Sequence, residues 1–375
     1  MPGLDAYTTE FTEPAGYLNF AAYGPPSTAV VRSLTDAAQL AASGEPAANL
    51  HAADARALAA VSRLSGFARE NCLLTTSTSA GLQQIAFGLP GARVLAGRDE
   101  FPSNLYPWWR AQEAGLLEVS LIAGGDHGVP RRMTPETIDA ALTPATTAVA
   151  ISAVDFRTGY RADLRGIRDV IGERLLIVDG IQGFGVLDAD WPLADALVVG
   201  GQKWLRAGWG TAFVALSDRA LERVRPTLGS WTGVERPTAY DGLEHPPAPG
   251  AQRLSITNVS PFTSAALGTA LELLESAGVA AVAGRITASA GAVADRLDAA
   301  GIEVLSPRDE ARRAGLVVAR VADDRAAATR DLLADRGITV TAHDPGRIRI
   351  SVHATTDPGD ETFATLVDVL TQVRS

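Results

Sequence analysis

Cysteine is almost missing from this chain of 375 residues. Cys72 stands alone, which excludes an intrachain disulfide and any zinc site built from several thiolates. Histidine is scarce as well, and His51, His127, His245, His343 and His353 never fall at ligand spacing, so no protein-held metal is expected. Nor is there a lysine- or arginine-rich block. With 33 basic against 43 acidic residues and a net charge of −10, an extended nucleic-acid surface is not expected. No apolar run approaches the roughly 20 residues of a membrane helix. The opening Met1-Pro2-Gly3-Leu4-Asp5 lacks the basic and apolar regions of a signal peptide, and the expectation is a cytoplasmic protein with no membrane partner. Internal repeats, low-complexity tracts, Gly-x-Gly-x-x-Gly and the Walker pattern are all missing too.

What is present is a series of short apolar, β-branched runs with helical segments between them. They fall at Cys72–Thr75, Arg93–Ala96, Glu118–Ile122, Ala148–Ser152, Leu175–Val178, Ala196–Val199 and Ala212–Leu216. Seven strands with little period-2 alternation predict an α/β domain around a mostly parallel sheet covered on both faces. The proline-rich stretch from Glu235 to Gly250 reads as an irregular surface or interface excursion. From Pro261 to about Ala300 the alanine- and leucine-rich pattern has helical spacing and reads as a connector. Beyond Gly301, strands near Ile302–Leu305, Leu316–Val321, Ile338–Val340 and Arg347–Val352, with helices near Arg325–Arg336 and Asp360–Val373, predict a small α+β domain. The expected division is an N-terminal segment over 1–45 near the active site, a large domain over 46–262, and a connector with a small domain over 263–375.

Two strand ends carry the chemistry. Lys203 follows the run Leu197-Val198-Val199, and Asp179 ends the run Leu175-Leu176-Ile177-Val178. A lysine emerging among buried strand ends loses its proton by desolvation and becomes a nucleophilic amine that holds carbonyl compounds as Schiff bases. An aspartate beside it keeps a pyridine nitrogen protonated, which is the protein's share of pyridoxal 5′-phosphate (PLP) chemistry. Alone, the two residues read more readily as a surface lysine and a strand-end cap, because lysine rarely sits inside and strand ends often carry aspartate. Two further segments bear on the choice. Thr75-Thr76-Ser77-Thr78-Ser79 puts hydroxyls and free amides between a strand and a helix, as an anion cradle would. Phe101, next to Pro102, offers a ring face to a flat ligand.

The combination Asp179-x-x-Gln182 with Gly200-Gly201-Gln202-Lys203-Trp204, together with Asp155-Phe156-Arg157-Thr158-Gly159, resembles the PLP enzymes of fold type I in the aminotransferase class V family, most of all the isopenicillin N epimerase-like and kynureninase-like branches. The resemblance covers nearly the whole chain. It implies that Lys203 holds PLP, that Asp179 pairs with the pyridine nitrogen and that Gln182 sits at the ring hydroxyl. Thr78 and Ser79 match the phosphate loop, and Phe101 matches the stacking position with Asn104 close by. Trp231 and Thr257 match phosphate contacts often brought by the partner of a homodimer with shared sites. Arg349, in Arg347-Ile348-Arg349-Ile350-Ser351, matches the residue that pairs with a substrate α-carboxylate. Asn19 and Tyr23 match the segment folded over the substrate mouth.

Departures from the family are also visible. Gln202 stands where many relatives have histidine, and Asp155 where they often have Asn or Ser near the ring hydroxyl. The mobile late cysteine that desulfurases use for persulfide chemistry is missing. The expected activity is PLP-dependent chemistry on a small amino acid, with aminotransferase-type chemistry favoured slightly over a C–S or other β-lyase or a kynureninase- or epimerase-like reaction. A non-catalytic interaction module on the same fold is the remote alternative.

Overall fold

The computed structural model describes residues 2–125 and 130–373, so His127 lies outside the described residues. The seven expected strands all form: β1 (Cys72–Thr75), β2 (Arg93–Gly97), β3 (Glu118–Ile122), β4 (Ala148–Ser152), β5 (Leu175–Asp179), β6 (Ala196–Gly200) and β7 (Ala212–Leu216). They build one sheet in the order β1-β7-β6-β5-β4-β2-β3. Pairing is parallel from β6 to β3, and β7 runs against both of its neighbours. Every residue of β5, β6 and β7 is buried. That burial explains the continuous apolar runs of the central strands, because helices cover both of their faces, whereas the edge strand β3 leaves Glu118 and Ser120 exposed.

This topology brings the carboxyl ends of β2, β4, β5 and β6 to one edge, where ligands of open α/β sheets bind. The turn after β1 opens the helix Thr78–Phe87, capped by Ser77, whose hydroxyl accepts the Ala80 N–H at 3.1 Å. The helix Pro261–Ala277 packs on the helices Thr28–Ala42 and Ala52–Ser65, then bends by 82° at Gly278 into Val279–Ala299. Among the described residues no single helix is long and apolar enough to cross a membrane.

A second, antiparallel sheet has the order β8-β10-β9, with β8 at Leu316–Arg320, β9 at Thr341–His343 and β10 at Arg347–Ser351. The helices Ala326–Ala334 and Glu361–Gln372 complete this α+β unit around a core that includes Ala290, Val317, Ile348, Ile350 and Phe363. Two strand expectations need correction. Ile302–Leu305 forms only an isolated bridge, Val304 to Ala319, and pairing with β10 begins at Thr341 rather than at Ile338–Val340. Ile338 and Val340 are buried, so their apolarity marks core packing and not the ladder. Between them, Thr339 bridges to Tyr17, and Asn19 bridges to Ser351. The N-terminal segment is thereby laid along the small unit, with Leu18 inside its core.

Candidate active site

Lys203 leaves a turn just past β6, partly buried, and it is the only lysine in the chain. Burial pulls its amine down to about 8; the Asp179 charge opposes this and the Arg349 charge adds to it. Asp179 ends β5 and is 1% exposed. Burial pushes its carboxyl up to about 6, against the Ile181 amide, Lys203 and Ser103, which favour the charged form. The Ile181 N–H donates to one carboxylate oxygen at 3.0 Å, while the other oxygen is buried without a partner.

A buried polar atom left unpaired costs about 1–3 kcal/mol, so the orphaned oxygen of Asp179 is a positive sign of a missing donor. A protonated pyridine nitrogen supplies that donor. Thr78 repeats the pattern at the start of its helix, since its Oγ1 is buried and unpartnered. A Cβ built on Gly200 would stand 2.8 Å from that Oγ1 and 2.6 Å from Oε1 of Gln202, so two polar side chains converge over bare backbone. Helix N–H groups and a hydroxyl at such a spot suit a phosphate. Phe101, 39% exposed, lies with its ring centre 5.3 Å from Nζ of Lys203 and meets Phe156 edge-on at 5.1 Å. Asp179, Thr78, Gln202, Phe101 and Lys203 together fit PLP. Ser79 is exposed on the same helix turn.

Gln182 has both ends of its amide engaged: Nε2 donates to the Ala21 carbonyl at 3.0 Å, and Oε1 accepts from Trp204 at 2.7 Å. One N–H remains for a ring hydroxyl. Asn104 has both ends of its amide engaged within the protein. It is fully buried, donates to Glu100 at 3.1 Å and accepts from Trp108 at 3.3 Å, contacts that support the loop of Phe101. Asp155 spends one oxygen on the turn that follows it, accepting from the Arg157 and Thr158 amides and the Thr158 hydroxyl. Burial raises its pKa. Trp231, 46% exposed, and Thr257 both remain on the surface.

Arg349 is 5% exposed, and no carboxylate stands within ion-pair distance of it among the described residues. It donates to the Phe156 carbonyl at 3.1 Å and to the Thr341 hydroxyl at 3.2 Å, and its Nε is buried without a partner. Burial lowers its pKa to about 10, with Asp155 acting against that. A buried guanidinium of this kind is poised for an anion. Thr341 passes the contact on, donating to Asn19 at 2.6 Å, so Asn19 is joined to Arg349 through one hydroxyl. Tyr23 stacks on Trp209 with centres 5.7 Å apart.

Several residues escaped the sequence reading. His343 stands opposite Arg347 in the small sheet, as Thr341 stands opposite Arg349, so all four share one face. Burial and three arginines hold its imidazole down to about 4, and its buried Nε2 has no partner. Burial pushes the Glu100 carboxyl up to about 7. Arg206, with left-handed backbone at φ 58°, forms a buried ion pair with Glu13. The lone lysine was a signal available in the sequence itself. The others depend on contacts between distant segments. Two other cavities, of about 650 and 380 Å³, contain neither Lys203 nor Arg349, and Arg32, Arg56, Arg165 and Arg312 in them are paired with carboxylates while Arg161 donates to the Asp188 carbonyl.

The fold and the site together define a PLP-dependent enzyme of fold type I. Residues 31–353 match the family described as aminotransferase class-V, and the chain belongs to that family, with PLP as its cofactor. Kynureninase of Deinococcus radiodurans is 30% identical over 195 residues, 50% of this chain and 45% of that protein. Kynureninase of Burkholderia pseudomallei is 28% identical over 183 residues, 47% and 41% of the two chains. These alignments span under half the length of the relatives. Among solved structures, the cystine C–S lyase C-DES in complex with its product cysteine persulfide has a TM-score of 0.85 at 21% identity and 100% coverage of both chains. The apo cysteine desulfurase of Thermococcus onnurineus NA1 has a TM-score of 0.81 at 18% identity, covering 95% of this chain and 94% of that one. At these identities the structural likeness speaks for the fold.

Proposed function

We propose that this protein cleaves a side-chain bond of a small α-amino acid at its β-carbon, in kynureninase-like fashion, rather than transferring its amino group. The observation that carries the reading is one free amine, Lys203, and one buried guanidinium without a carboxylate, Arg349, at a mouth flanked by Phe101 and Phe156, in a chain whose sequence relatives are kynureninases.

PLP, when bound, supplies the electron sink that weakens the bonds at the substrate's α-carbon. Asp179 keeps the pyridine nitrogen protonated through its unpaired oxygen. Thr78 and the start of its helix hold the phosphate, with Gln202 beside them. Arg349 takes the α-carboxylate and so fixes which α-carbon bond is activated, while Asn19 steadies the Thr341 hydroxyl that Arg349 uses. Lys203 amine is low enough in pKa to accept and return a proton at the α-carbon near neutral pH. A flat aryl side chain suits the Phe101–Phe156 pair.

Elimination at a carbon–sulfur bond is the second reading, favoured by the likeness to C-DES. Sulfur transfer to a protein thiol is not part of it, because Cys72 is buried and burial pushes its thiol up to about 12. We further propose a cytoplasmic homodimer, with the exposed Trp231 and Thr257 reaching the partner's phosphate.

The test offers the purified enzyme an aryl-ketone amino acid of the kynurenine type, cystine and cysteine conjugates, and simple amino acids with a keto-acid acceptor. With water adding to the ketone carbon and the β-carbon leaving to take up a proton, aromatic acid and alanine are expected from the first, and sulfur release would move the assignment to the second reading. Amino transfer without any bond cleavage would sink the proposal.

A further inference from the structure

Beside the turn that carries Lys203, Arg206 and Glu13 form an ion pair whose side chains are 1% and 6% exposed. The pair stands where three separate stretches of chain meet. We propose that Arg206 and Glu13 are a positioning pair that sets Lys203, the Asn19–Tyr23 segment and Arg349 in register with one another. The inference rests on the PLP site proposed above.

Three sets of contacts converge on the pair. On the lysine side, the Arg206 N–H closes the turn onto the Lys203 carbonyl at 3.1 Å. Its backbone is left-handed, at φ 58°, an arrangement a non-glycine residue keeps only when its surroundings hold it there. On the N-terminal side, the guanidinium donates to the Pro25 carbonyl at 2.6 Å and to both Glu13 oxygens, and it lies 3.6 Å from the centre of the Phe11 ring. The Gly24 N–H also donates to the Gln202 carbonyl at 2.9 Å, and a Cβ at Gly24 would come within 2.1 Å of the Lys203 carbonyl, so the segment rests directly on the lysine turn. On the small-unit side, Glu13 accepts from the Thr355 hydroxyl at 2.7 Å, and Arg206 stands 3.5 Å from Nδ1 of the buried His353. Both residues follow β10, the strand that carries Arg349.

Each of the three stretches contributes one part of the site: the nucleophile, the mouth segment or the carboxylate clamp. A buried pair is a poor source of net stability, since desolvation offsets attraction, whereas its directional contacts fix geometry. Misplacing reacting groups by about 1 Å costs on the order of 100-fold in rate. Arg206 acts through the backbone of Lys203 and through Glu13.

The decisive variant is the double Glu13→Gln/Arg206→Met, which removes both charges and leaves none buried alone. Thr355→Val is the milder companion, cutting only the tether to the small unit. In cofactor-free protein, hydrogen exchange is followed at the amides of Gly24 and Ser351, which bond to Gln202 and Leu18. Exchange there should quicken at least about tenfold while the β4 and β5 amides keep wild-type rates. In the PLP-loaded protein, half-saturation is read from the absorbance change with an α-amino acid and with its decarboxylated amine. The amino acid should weaken about 10- to 100-fold and the amine less than about threefold, with Arg206→Lys in between. Unchanged exchange, or equal losses for both compounds, would overturn the positioning role. Wild-type protein that takes up no PLP would instead refute the function proposed above, and the exchange rates would still decide the role of the pair.

Discussion

Nζ of Lys203, from the turn after β6, lies 5.3 Å from the centre of the Phe101 ring, from the loop after β2. A cation over an aromatic face gains about 0.5–1 kcal/mol, which favours the charged amine. Burial outweighs that gain, because the amine is lowered from 10.5 to about 8. The ring therefore serves less as a counter-charge than as a wall that keeps water off the amine and offers a face to a planar ligand.

Because Lys203 is the only lysine, reductive trapping has a single side-chain target. Borohydride treatment of the PLP-loaded protein should abolish its violet-region absorption and place one pyridoxyl group on Lys203, read by peptide mass spectrometry. Lys203→Ala should remain folded and show no such adduct. An undiminished band in that variant would remove Lys203 from the mechanism.

The lowered amine sets a pH dependence for cofactor capture. Only the neutral form attacks a carbonyl, so the rate of PLP uptake by cofactor-free protein should rise with pH, with its midpoint near 8. Stopped-flow absorbance across pH 6–10 tests this range. A midpoint near 10 would mean that the lysine is hydrated.

Asp179 carries the opposite sign of shift. Its folded pKa is raised from 3.8 to about 6, so the stability it lends the cofactor-free protein is full below 3.8 and lost as pH rises through 6. Asp179→Asn should therefore leave the cofactor-free protein more stable above pH 6, by about 1–3 kcal/mol in thermal unfolding. The same variant should bind PLP and lose most of its turnover, since a neutral partner cannot hold the pyridinium. Wild-type turnover would show Asp179 to be structural.

Arg349→Lys keeps the charge and loses the planar fork. For an α-amino acid, kcat/KM should fall by about 2–5 kcal/mol in transition-state terms, because the carboxylate is left buried and badly paired. The decarboxylated amine should be nearly indifferent to the change. Equal losses for both compounds would assign Arg349 to the fold.

Trp231, at 46% exposed, lines one surface cleft with Tyr240 and Leu243, and Thr257 is exposed as well. If they complete the partner's phosphate site, the PLP-loaded enzyme should scatter light as a dimer, and Thr257→Ala should weaken PLP binding without altering the fold. A fully active monomer at assay concentration would contradict the shared site.

Much of this protein was legible in the order of its residues. The central strands could be read because they are buried on both sides, which leaves uninterrupted apolar runs, while the edge strand β3, with Glu118 and Ser120 exposed, could be read from its β-branched and apolar residues. Lys203 and Asp179 could be read because chemistry in α/β sheets gathers at strand ends, which are local features of sequence. What the order of residues did not decide is which polar groups find partners. Asn104 and Thr78 were equal candidates, yet folding brings Asn104 against Glu100 and Trp108 and leaves the Thr78 hydroxyl buried with no partner. Ile338 and Val340 are as apolar as any strand residue, and only packing against the small core sends the ladder to Thr341. Glu13, Arg206 and Thr355 are far apart in the chain, and no spacing rule joins them. Hydrogen bonds and ion pairs act over about 3 Å of space regardless of separation along the chain, so their pairing belongs to the tertiary structure alone.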